Sequence, residues 1–429
     1  MSAPGPLSLL RFLRAYWRTR WLQRKLKTCS DIEAWQARQI TRWRKTALSK
    51  AKFYRPHRDT PFEALPLVDK TMLMGRFAEF NSAGIDAAQG WAAFAGSGKI
   101  GSLTVGASTG TSGNRGLFVI SEAERWQWLG VIVAKTMPKL RRARVALVLP
   151  LNTGLYDAAA GSGFIRLKFF DLKLGMDAFS EDLVSFAPDT LIAPPKVLRR
   201  LAESGLPLAP NTIFSVAEVL DPLDRDSIEK RFGVRLREIY MATEGLIGVA
   251  CEHGTLHLCE DVMKIEFEDA VPGSGLVAPI TTDFTRTTQV MARYRMNDML
   301  RLADQACPCG SPLQAVAQVE GRRDDVLWLP ASAGNGEVPI TPDILRNAIV
   351  DADRRIDDFR LLQTGADTLE LSVLMALPDT AAEAARQAVE STVQRAGGAA
   401  TAVLMRVPAF PVTARKLRRI ERRWQGPTQ

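Results

Sequence analysis

Cysteine, histidine and long apolar runs are scarce in this sequence. Only five of its 429 residues are cysteine and three are histidine, which argues against a small disulfide-stapled scaffold. No stretch of about 18 uninterrupted apolar residues occurs, so a membrane-spanning helix is not expected. The N-terminus places a short apolar stretch ahead of its basic residues, which is the reverse of a secretory signal. These absences predict a cytoplasmic protein in a reducing compartment.

The composition is otherwise that of a globular protein, with its positive charge concentrated at the two ends. Apolar residues make up 46% and charged residues 24% of a chain long enough for roughly two or three domains. The net charge is +9, to which residues 11–58 contribute +13 and residues 415–423 contribute +5. Such basic surface suits nucleic acid, an acidic protein or an anionic membrane, or is a solvated helix face. No recognisable nucleic-acid module is present, so no specific nucleic acid partner is predicted.

A helix is predicted over residues 8–50, within a basic N-terminal segment that covers residues 8–58. The helical stretch lacks Gly and Pro and is rich in long side chains. In its first turns one face is apolar and the opposite face is basic. The apolar face comprises Leu9, Phe12, Leu13, Tyr16 and Trp17, and the basic face comprises Arg11, Arg14 and Arg18. The apolar face either packs on the protein's own domain or contacts a membrane surface.

From about residue 100, short apolar or β-branched runs alternate with helical runs. Such alternation predicts an α/β fold with a largely parallel sheet. After residue 255 the pattern is β-rich, and from about residue 326 it becomes an α+β unit. We therefore predict a large multi-sheet α/β domain over residues 1–321 and a smaller, mobile α+β domain over residues 322–429.

The strongest local motif is a Gly-rich loop at residues 106–116, directly before a helical segment. It contains four Gly, four hydroxyl side chains and one Arg. Gly lets backbone N–H groups approach an anion, and the hydroxyl and Arg side chains add donors, so the loop is predicted to bind phosphate. It is not a Walker A loop, because the GxxxxGK[ST] pattern is absent. The alternative is a flexible surface loop. The predicted phosphate-binding residues are Ser108, Thr109, Gly110, Thr111, Ser112, Gly113 and Arg115.

This loop and several later segments resemble, in order and spacing, motifs of the adenylate-forming superfamily of acyl-CoA synthetases, adenylation domains and luciferases. The phenylacetate–CoA ligase branch is especially similar. The loop STGTSGNRG resembles the family's [ST]-S-G-T-T-G-x-P. The other matching segments are Ser215–Glu218 (SVAE), Tyr240–Glu244 (YMATE), Arg293–Asp298 (RYRMND), Gly321–Asp325 (GRRDD) and the C-terminal PVTARKLRR. The chain departs from the family pattern at Met241, Asn297 and Asn114-Arg115, which concerns substrate and subfamily more than adenylation.

The resemblance implies ATP-dependent activation of a carboxylic acid as an acyl-adenylate, followed by transfer to a thiol. The Gly-rich loop would hold the β- and γ-phosphates, and Glu244, next to Thr243, would bind Mg²⁺. The remaining roles that the resemblance implies are adenine stacking by Tyr240, further nucleotide contacts by Ala217, Glu218 and Arg322, ribose binding by Asp298, bridging of the carboxylate and α-phosphate by Lys416, and a domain hinge at Asp324.

Most of the cysteines and histidines lie in two stretches. Cys251 and His257 belong to one hairpin-like stretch, and Cys307-Pro308-Cys309 follows downstream. A set of three Cys and one His suits a tetrahedral Zn²⁺ ion, and some members of the phenylacetate–CoA ligase branch resemble this arrangement. The predicted structural zinc ligands are Cys251, His257, Cys307 and Cys309. The alternative is a set of free thiols in a β-rich region.

The acid and the thiol are left open by these motifs. The resemblance implies an aryl acid, and the chain is also similar to the hydroxybenzoate:acyl-carrier-protein ligases of xanthomonadin and aryl-polyene pigment clusters. The candidate pocket residues are Asn152, Gly154, Tyr156 and Leu246. The acceptor is the phosphopantetheine of an acyl carrier protein, steered by the basic surface, or coenzyme A. A non-catalytic nucleotide-binding shell or membrane-surface scaffold is the alternative from another class.

Overall fold

The N-terminal region consists of helices that cover one side of the protein and a small sheet. The structure is a computed structural model that describes residues 5–108, 115–139, 141–150, 165–334, 336–410 and 418–424. The helices are α1 (Pro6–Lys25), α2 (Cys29–Ala47), α3 (Lys70–Gly75), α4 (Phe77–Phe80) and α5 (Ala87–Ala95). An antiparallel three-stranded sheet follows, with β1 (Lys99–Ile100), β2 (Leu103–Ala107) and β3 (Leu117–Ser121), and then α6 (Glu122–Thr136).

The predicted single helix over residues 8–50 is wrong, because the chain forms two helices there. The first helix ends at Lys25, and Thr28 caps the second one. The Thr28 side chain accepts a hydrogen bond from the Asp31 backbone, and the Asp31 carboxylate accepts one from the Thr28 backbone at 3.0 Å. This reciprocal capping box satisfies backbone donors that a continuous helix would have used internally. The T-x-x-D pattern was the signal for this break.

The large sheet has twelve strands in the described part of the chain, with four parallel pairings at one end and seven antiparallel pairings in the remainder. The elements of this region are β4 (Ala143–Leu149), β5 (Ile165–Asp171), α7 (Ser180–Phe186), β6 (Thr190–Ala193), α8 (Pro195–Glu203), β7 (Thr212–Val216), α9 (Pro222–Phe232), β8 (Leu236–Ala242), β9 (Gly245–Ala250), β10 (Leu256–Leu258), β11 (Met263–Asp269), β12 (Val277–Asp283), β13 (Tyr294–Arg295), β14 (Asp298–Leu302) and β15 (Ala315–Arg322). The strand order is β11-β12-β14-β15-β10-β9-β8-β7-β6-β4-β5, with β13 paired to β12. Strands β4 to β8 run parallel, as the strand–helix alternation predicted.

The C-terminal region forms its own sheets and core. Its elements are β16 (Leu327–Pro330), β17 (Glu337–Ile340), α10 (Pro342–Ala352), β18 (Phe359–Gln363), β19 (Thr368–Leu374), α11 (Asp379–Arg395), β20 (Thr401–Val407) and β21 (Ile420–Arg422). A four-stranded sheet, β20-β19-β18-β21, packs on α10 and α11 around an apolar cluster drawn from residues 327–420. The predicted fold class is confirmed: a large multi-sheet α/β region precedes a smaller α+β region. The boundary between residues 321 and 322 and the mobility of the second region stay predictions.

Helix α1 packs with one face against α6. Phe12 and Tyr16 are buried there, and the Tyr16 hydroxyl donates to the carbonyl oxygens of Met137 and Pro138 at 3.3 and 3.1 Å. Gly130 permits this contact, since a Cβ atom on it would lie 2.4 Å from the Phe12 carbonyl oxygen. The predicted apolar face is therefore partly wrong: Trp17, which was grouped with Phe12 and Tyr16, points to solvent.

A buried ion-pair cluster joins the two regions. Arg419, just before β21, donates two hydrogen bonds of 2.9 Å to the Asp224 carboxylate on α9. Arg199, on α8, donates to Asp224 at 3.1 Å and to the carbonyl oxygen of Asp357 at 2.7 Å. Both Asp224 and Arg419 are buried. The cluster, which we call the Asp224 cluster (Arg199, Asp224, Asp357 and Arg419), thus lies at one end of the cleft between the regions.

Candidate functional site

A cleft between the large sheet and the C-terminal region collects most of the predicted site residues that the structure describes. They come from the ends of β7, β8, β14 and β15 and from the base of the Gly-rich loop. The predicted residues that line the cleft are Ser108, Ala217, Glu218, Tyr240, Thr243, Glu244, Asp298, Arg322 and Asp324. Segments that lie more than 200 residues apart in the sequence therefore meet in one place, although their individual roles stay predictions.

Tyr240, Asp298 and Arg322 form a connected polar group in the cleft. The Tyr240 hydroxyl donates to Oδ2 of Asp298 at 2.6 Å, and Arg322 Nε lies 3.5 Å from Oδ1 of the same carboxylate. Burial, followed by the charge of Asp298, raises the pKa of Tyr240 well above its ordinary value. Tyr240 is therefore a neutral phenol that orients the Asp298 carboxylate, while its ring is available as an aromatic surface.

The turn at Thr243 and Glu244 is held by buried side chains behind it. The Arg286 guanidinium donates to the carbonyl oxygen of Thr243 at 2.9 Å. The backbone carbonyl oxygen of Arg286 in turn accepts a hydrogen bond from the Trp43 indole at 2.6 Å. Burial, and then the Glu244 carboxylate, raise the pKa of Tyr294, so its hydroxyl stays protonated beside Glu244. The Glu244 carboxylate thus has the Tyr294 hydroxyl beside it and lines the cleft.

The base of the Gly-rich loop is closed by hydrogen bonds. The Ser108 backbone N–H donates to the Gly116 carbonyl oxygen at 2.8 Å, and the Gly116 N–H donates to the Ser108 hydroxyl oxygen at 2.8 Å. The predicted loop residues Thr109, Gly110, Thr111, Ser112 and Gly113 lie outside the described residues.

Arg115, unlike Ser108, does not line the cleft. Its guanidinium lies over the rings of Trp91 and Phe94 on α5, at 5.1 and 5.2 Å from their centroids. Its Nε donates to the Ser108 carbonyl oxygen at 3.0 Å. These contacts anchor the loop to α5, and Arg115 is not among the described residues that line the cleft.

Lys70 is a cationic residue in the cleft that the motif analysis missed. It is the first residue of α3, and its side chain approaches Gly116, since a Cβ atom there would lie 3.4 Å from Lys70 Cε. Burial, and then the positive charge of Arg322, lower the pKa of Lys70, whereas Glu244 and Asp324 oppose that shift. The only sequence signal was a lone Lys in PLVDKTM, which resembles a helix start and carries no motif.

The predicted hinge residue Asp324 and the predicted nucleotide-binding residues Ala217 and Glu218 are held by local contacts and backbone conformation. Asn297 Nδ2 donates to the Asp324 carboxylate at 2.6 Å, so the predicted hinge residue is tied to the strand that carries Asp298. Glu218 pairs with Lys196 at 3.0 Å in a buried ion pair. Ala217 has φ of 69°, a conformation that costs a non-Gly residue free energy and that occurs often at functional sites.

Some predicted residues are not brought into the cleft or fall outside the description. Leu246, a candidate for the acid pocket, lies on β9 and is packed in the core between the sheet and α6. The other pocket candidates, Asn152, Gly154 and Tyr156, lie outside the described residues, as does Lys416. The described residues that flank Lys416, Phe410 and Arg418, both line the cleft.

The predicted Cys/His cluster is assembled on the antiparallel half of the large sheet. The ligand atoms of Cys251, His257, Cys307 and Cys309 all lie within 4.8 Å of one another. The Cys251 and Cys307 sulfur atoms are 3.7 Å apart, and Cys309 Sγ is 3.3 Å from His257 Nε2. Thiolates bound to one tetrahedral Zn²⁺ at 2.3 Å would be about 3.8 Å apart, so the geometry fits zinc. His257 Nδ1 is 3.1 Å from the Leu313 carbonyl oxygen, which orients Nε2 toward the cysteines.

No family model matches the sequence. Among curated proteins, the protein CapK of Staphylococcus aureus is 29% identical to this chain over 163 residues, which is 36% of this chain and 34% of that protein. The match therefore spans about a third of CapK.

Among solved structures, 2-hydroxyisobutyryl-CoA ligase in the postadenylation state, in complex with R3-HIB-AMP, is similar to this chain with a TM-score of 0.63. The two sequences are 20% identical, and the alignment covers 97% of this chain and 89% of that chain. A benzoate CoA ligase from Burkholderia xenovorans LB400 has a TM-score of 0.51 and 15% identity, with 70% of this chain and 64% of that chain covered.

This chain has the fold of the adenylate-forming CoA ligases. These structures share the fold that the resemblance implies, and they do not distinguish the hydroxybenzoate branch. The sequence motifs missed Lys70 and Arg286. Both residues line the cleft, and both lie in segments that contain none of the motifs described above. Their contribution depends on tertiary contacts, so no local pattern identified them.

Proposed function

We propose that this chain is an AMP-forming acid–thiol ligase, which uses ATP to activate a carboxylic acid as an acyl-adenylate and then transfers the acyl group to a thiol. The observation that carries the proposal is the convergence of Tyr240, Asp298, Arg322, Glu244 and Lys70 on one cleft. The group offers an aromatic surface, a carboxylate for hydroxyl groups, a carboxylate for a hard cation and two cations for phosphate.

The arrangement suits displacement at the α-phosphate by a carboxylate, with pyrophosphate as the leaving group. Such phosphoryl chemistry depends on positioning and on neutralisation of charge more than on a protein nucleophile. Asp298 accepts hydrogen bonds from the ribose hydroxyls, held in place by Tyr240, and Arg322 contacts the nucleotide nearby. Glu244 would hold Mg²⁺, which would neutralise charge on the phosphate oxygens. Ser108 and the rest of the Gly-rich loop bind the β- and γ-phosphates.

The test is carboxylate-dependent exchange of labelled pyrophosphate into ATP. We expect exchange that requires both a carboxylic acid and Mg²⁺, and that is abolished in Asp298→Ala. A panel of aryl, hydroxy and fatty acids then identifies the acid. No exchange with any acid, together with retained ATP binding, would favour the alternative of a non-catalytic nucleotide-binding shell.

The finer proposal is that the acid is aryl, such as a hydroxybenzoate, and that the acceptor is the phosphopantetheine of an acyl carrier protein. It rests on the resemblance described above and on the basic N-terminal segment, which contains 15 Lys or Arg and only two acidic residues. An acidic carrier would be steered to such a surface. Coenzyme A is the alternative acceptor. Comparing both thiols at low and high salt separates them, because steering of a carrier weakens with ionic strength.

Lys70 is proposed as a cation for the β- or γ-phosphate, because it lies beside Gly116 at the base of the Gly-rich loop and lines the cleft. Lys70→Met should lower kcat/KM for ATP on the order of 10–100-fold, less than a fully buried transition-state donor would cost. The matched control is Lys99→Met, because Lys99 is exposed on β1 and outside the cleft lining. Exchange kinetics at varied ATP measure the effect, and equal values for the two variants would remove Lys70 from the site.

The Cys251, His257, Cys307 and Cys309 cluster is proposed to bind one structural Zn²⁺. It joins the β9–β10 hairpin to the loop before β15, so the ion would act as a clip within the large sheet. Four protein ligands leave no open coordination position, which argues against a role in the reaction.

Metal analysis and thermal unfolding test the zinc proposal. Untagged protein should contain about one zinc per chain, and Cys309→Ser should lose the zinc and lower the Tm by roughly 5–10 °C. The control is Cys29→Ser, since Cys29 is exposed on α2 and outside the cluster. Full zinc content in Cys309→Ser would contradict the assignment. Wild-type protein that contains no zinc and has the same Tm as Cys309→Ser would contradict it as well.

The C-terminal region is proposed to rotate about Asp324 between the two half-reactions. Asp324 follows the last strand of the large sheet and is held by Asn297. Rotation would carry the segment that contains Lys416 away from the cleft before the thiol reacts.

A further inference from the structure

The outer face of α1 exposes large apolar side chains to solvent. Leu7, Leu10, Trp17 and Trp21 are 58%, 62%, 61% and 54% exposed, respectively. With Leu9, they are five of the twelve large apolar side chains that are exposed in the described part of the chain. Single exposed apolar residues need no explanation, but a concentration on one helix marks an interaction surface.

These side chains form a continuous stripe along the helix. At 100° per residue, Leu7, Leu10, Trp17 and Trp21 fall within an arc of about 80°. The arc lies opposite the face whose Phe12 packs against α6. Helix α1 therefore has two apolar faces. The face with Phe12 packs against α6, and the face with the stripe is exposed to solvent.

The charge around the stripe has one sign. Helix α1 contains five Arg and one Lys, and residues 1–30 contain no Asp or Glu. On the same helical projection, Arg14 lies within the stripe, and Arg24 and Lys25 border it on opposite sides. Arg18 is excluded from the stripe, since its guanidinium lies over the Trp35 ring at 5.8 Å. The surface thus combines Leu and Trp with basic flanks.

We infer that this face of α1 docks on an anionic lipid bilayer, with the helix axis parallel to the membrane plane. Trp rings favour the headgroup level, Leu side chains enter the acyl boundary, and long basic side chains extend to lipid phosphates. The absence of acidic residues from residues 1–30 matches an anionic surface. The inference does not depend on the proposed enzymatic function.

The experiment uses the full chain and vesicles of two compositions. Phosphatidylcholine vesicles with and without phosphatidylglycerol are sedimented with the protein, and Trp fluorescence reports insertion. We expect binding only to vesicles with phosphatidylglycerol, a shift of Trp emission to shorter wavelength, and weaker binding as salt rises, because charge attraction is screened. Equal binding to both compositions at all salt concentrations, or no binding to either, would overturn the inference.

Variants separate the stripe from the rest of the surface. Trp17→Gln/Trp21→Gln should weaken binding at least tenfold, and so should Arg14→Gln/Arg24→Gln. The matched control is Leu174→Gln/Met375→Gln, which removes two apolar side chains that are 70% and 61% exposed elsewhere. Circular dichroism of each variant checks that α1 remains folded. Unchanged vesicle binding in the Trp variant would refute the docking face. A concentration-dependent dimer that this variant abolishes, without vesicle binding, would assign the face to a second copy instead.

Discussion

Replacing Lys416 by Ala is expected to reduce carboxylate-dependent pyrophosphate exchange on the order of 10²–10³-fold. If Lys416 bridges the attacking carboxylate and the α-phosphate, its loss removes one point charge from the developing negative charge, comparable to losing an oxyanion donor. The variant should still pass a preformed acyl-adenylate to a thiol, because the proposed rotation about Asp324 would withdraw Lys416 from the site before that step. Exchange and single-turnover thiol transfer measure the two half-reactions separately.

The described residues on either side of the segment that contains Lys416 line the cleft. Among them, Arg418 donates to the Asp325 carboxylate at 3.0 Å, next to the proposed hinge residue. Lys416→Arg should rescue poorly, because a planar guanidinium does not replace a compact ammonium.

The competing interpretation makes Lys416 one of several surface charges that dock a carrier protein. Two of the charges in this segment are less suited to docking a carrier, because they are paired within the protein: Arg418 pairs with Asp325, and Arg419 is buried with Asp224. Arg423, which is exposed and pairs only with Glu421 among the described ion pairs, is the suitable control. If Arg423→Ala and Lys416→Ala both raise KM for the acceptor and leave exchange intact, the docking role is correct and the catalytic one is wrong.

Replacing Asp224 by Asn is expected to disrupt the contact between the two regions more than any other single substitution in the Asp224 cluster. The change leaves the Arg419 and Arg199 guanidinium groups without their shared carboxylate, although the Asp221 and Asp358 carboxylates still lie 3.5 and 3.3 Å from Arg419. Breaking a buried pair completely costs about 3–5 kcal/mol, so the expected cost is below that range. Because Arg419 belongs to the C-terminal region and Asp224 to the large one, the protein can limit that cost by separating the regions. Small-angle scattering and limited proteolysis should therefore report a more open molecule.

The same cluster has a defined pH dependence. Burial raises the pKa of Asp224, but the hydrogen bonds and charge of Arg419 and then of Arg199 outweigh burial, so the pKa lies below its ordinary value of 3.8. A carboxylate with a lowered pKa stabilises the folded arrangement fully above that ordinary pKa, and this contribution is lost as the pH falls below it. Acidic conditions are therefore expected to weaken this contact between the regions in the wild-type protein.

Asp226→Asn is the control for Asp224→Asn. Asp226 lies two residues further along α9 and is exposed, and no ion pair of it is seen among the described residues. Its replacement should leave scattering, proteolysis and unfolding unchanged. Equal behaviour of the two variants would mean that apolar packing, and not the Asp224 cluster, holds the regions together.

The order of local elements was predictable from the sequence, because it depends on patterns within short windows. A helical segment was expected after the Gly-rich loop, and α6 spans Glu122–Thr136, where Ser121 and Glu124 form a capping box ahead of an apolar run. Helix α11 and strand β20 likewise follow the periodicity of their segments. The break after Lys25 was missed, because the aromatic and basic residues on both sides suggested one continuous helix.

What the sequence by itself determined was the α/β class, the motif residues of the candidate site and the Cys/His cluster, since each depends on residue types at recognisable spacings. What only the tertiary structure decided was which side chains face one another across the sheet and between the regions. Lys70 and Arg286 reach the cleft through packing, and Arg115 is drawn away from it by the aromatic rings of α5. The outer stripe of α1 was likewise decided by packing: α6 buries one of two apolar faces of the helix, and only a three-dimensional neighbour determines which face remains exposed.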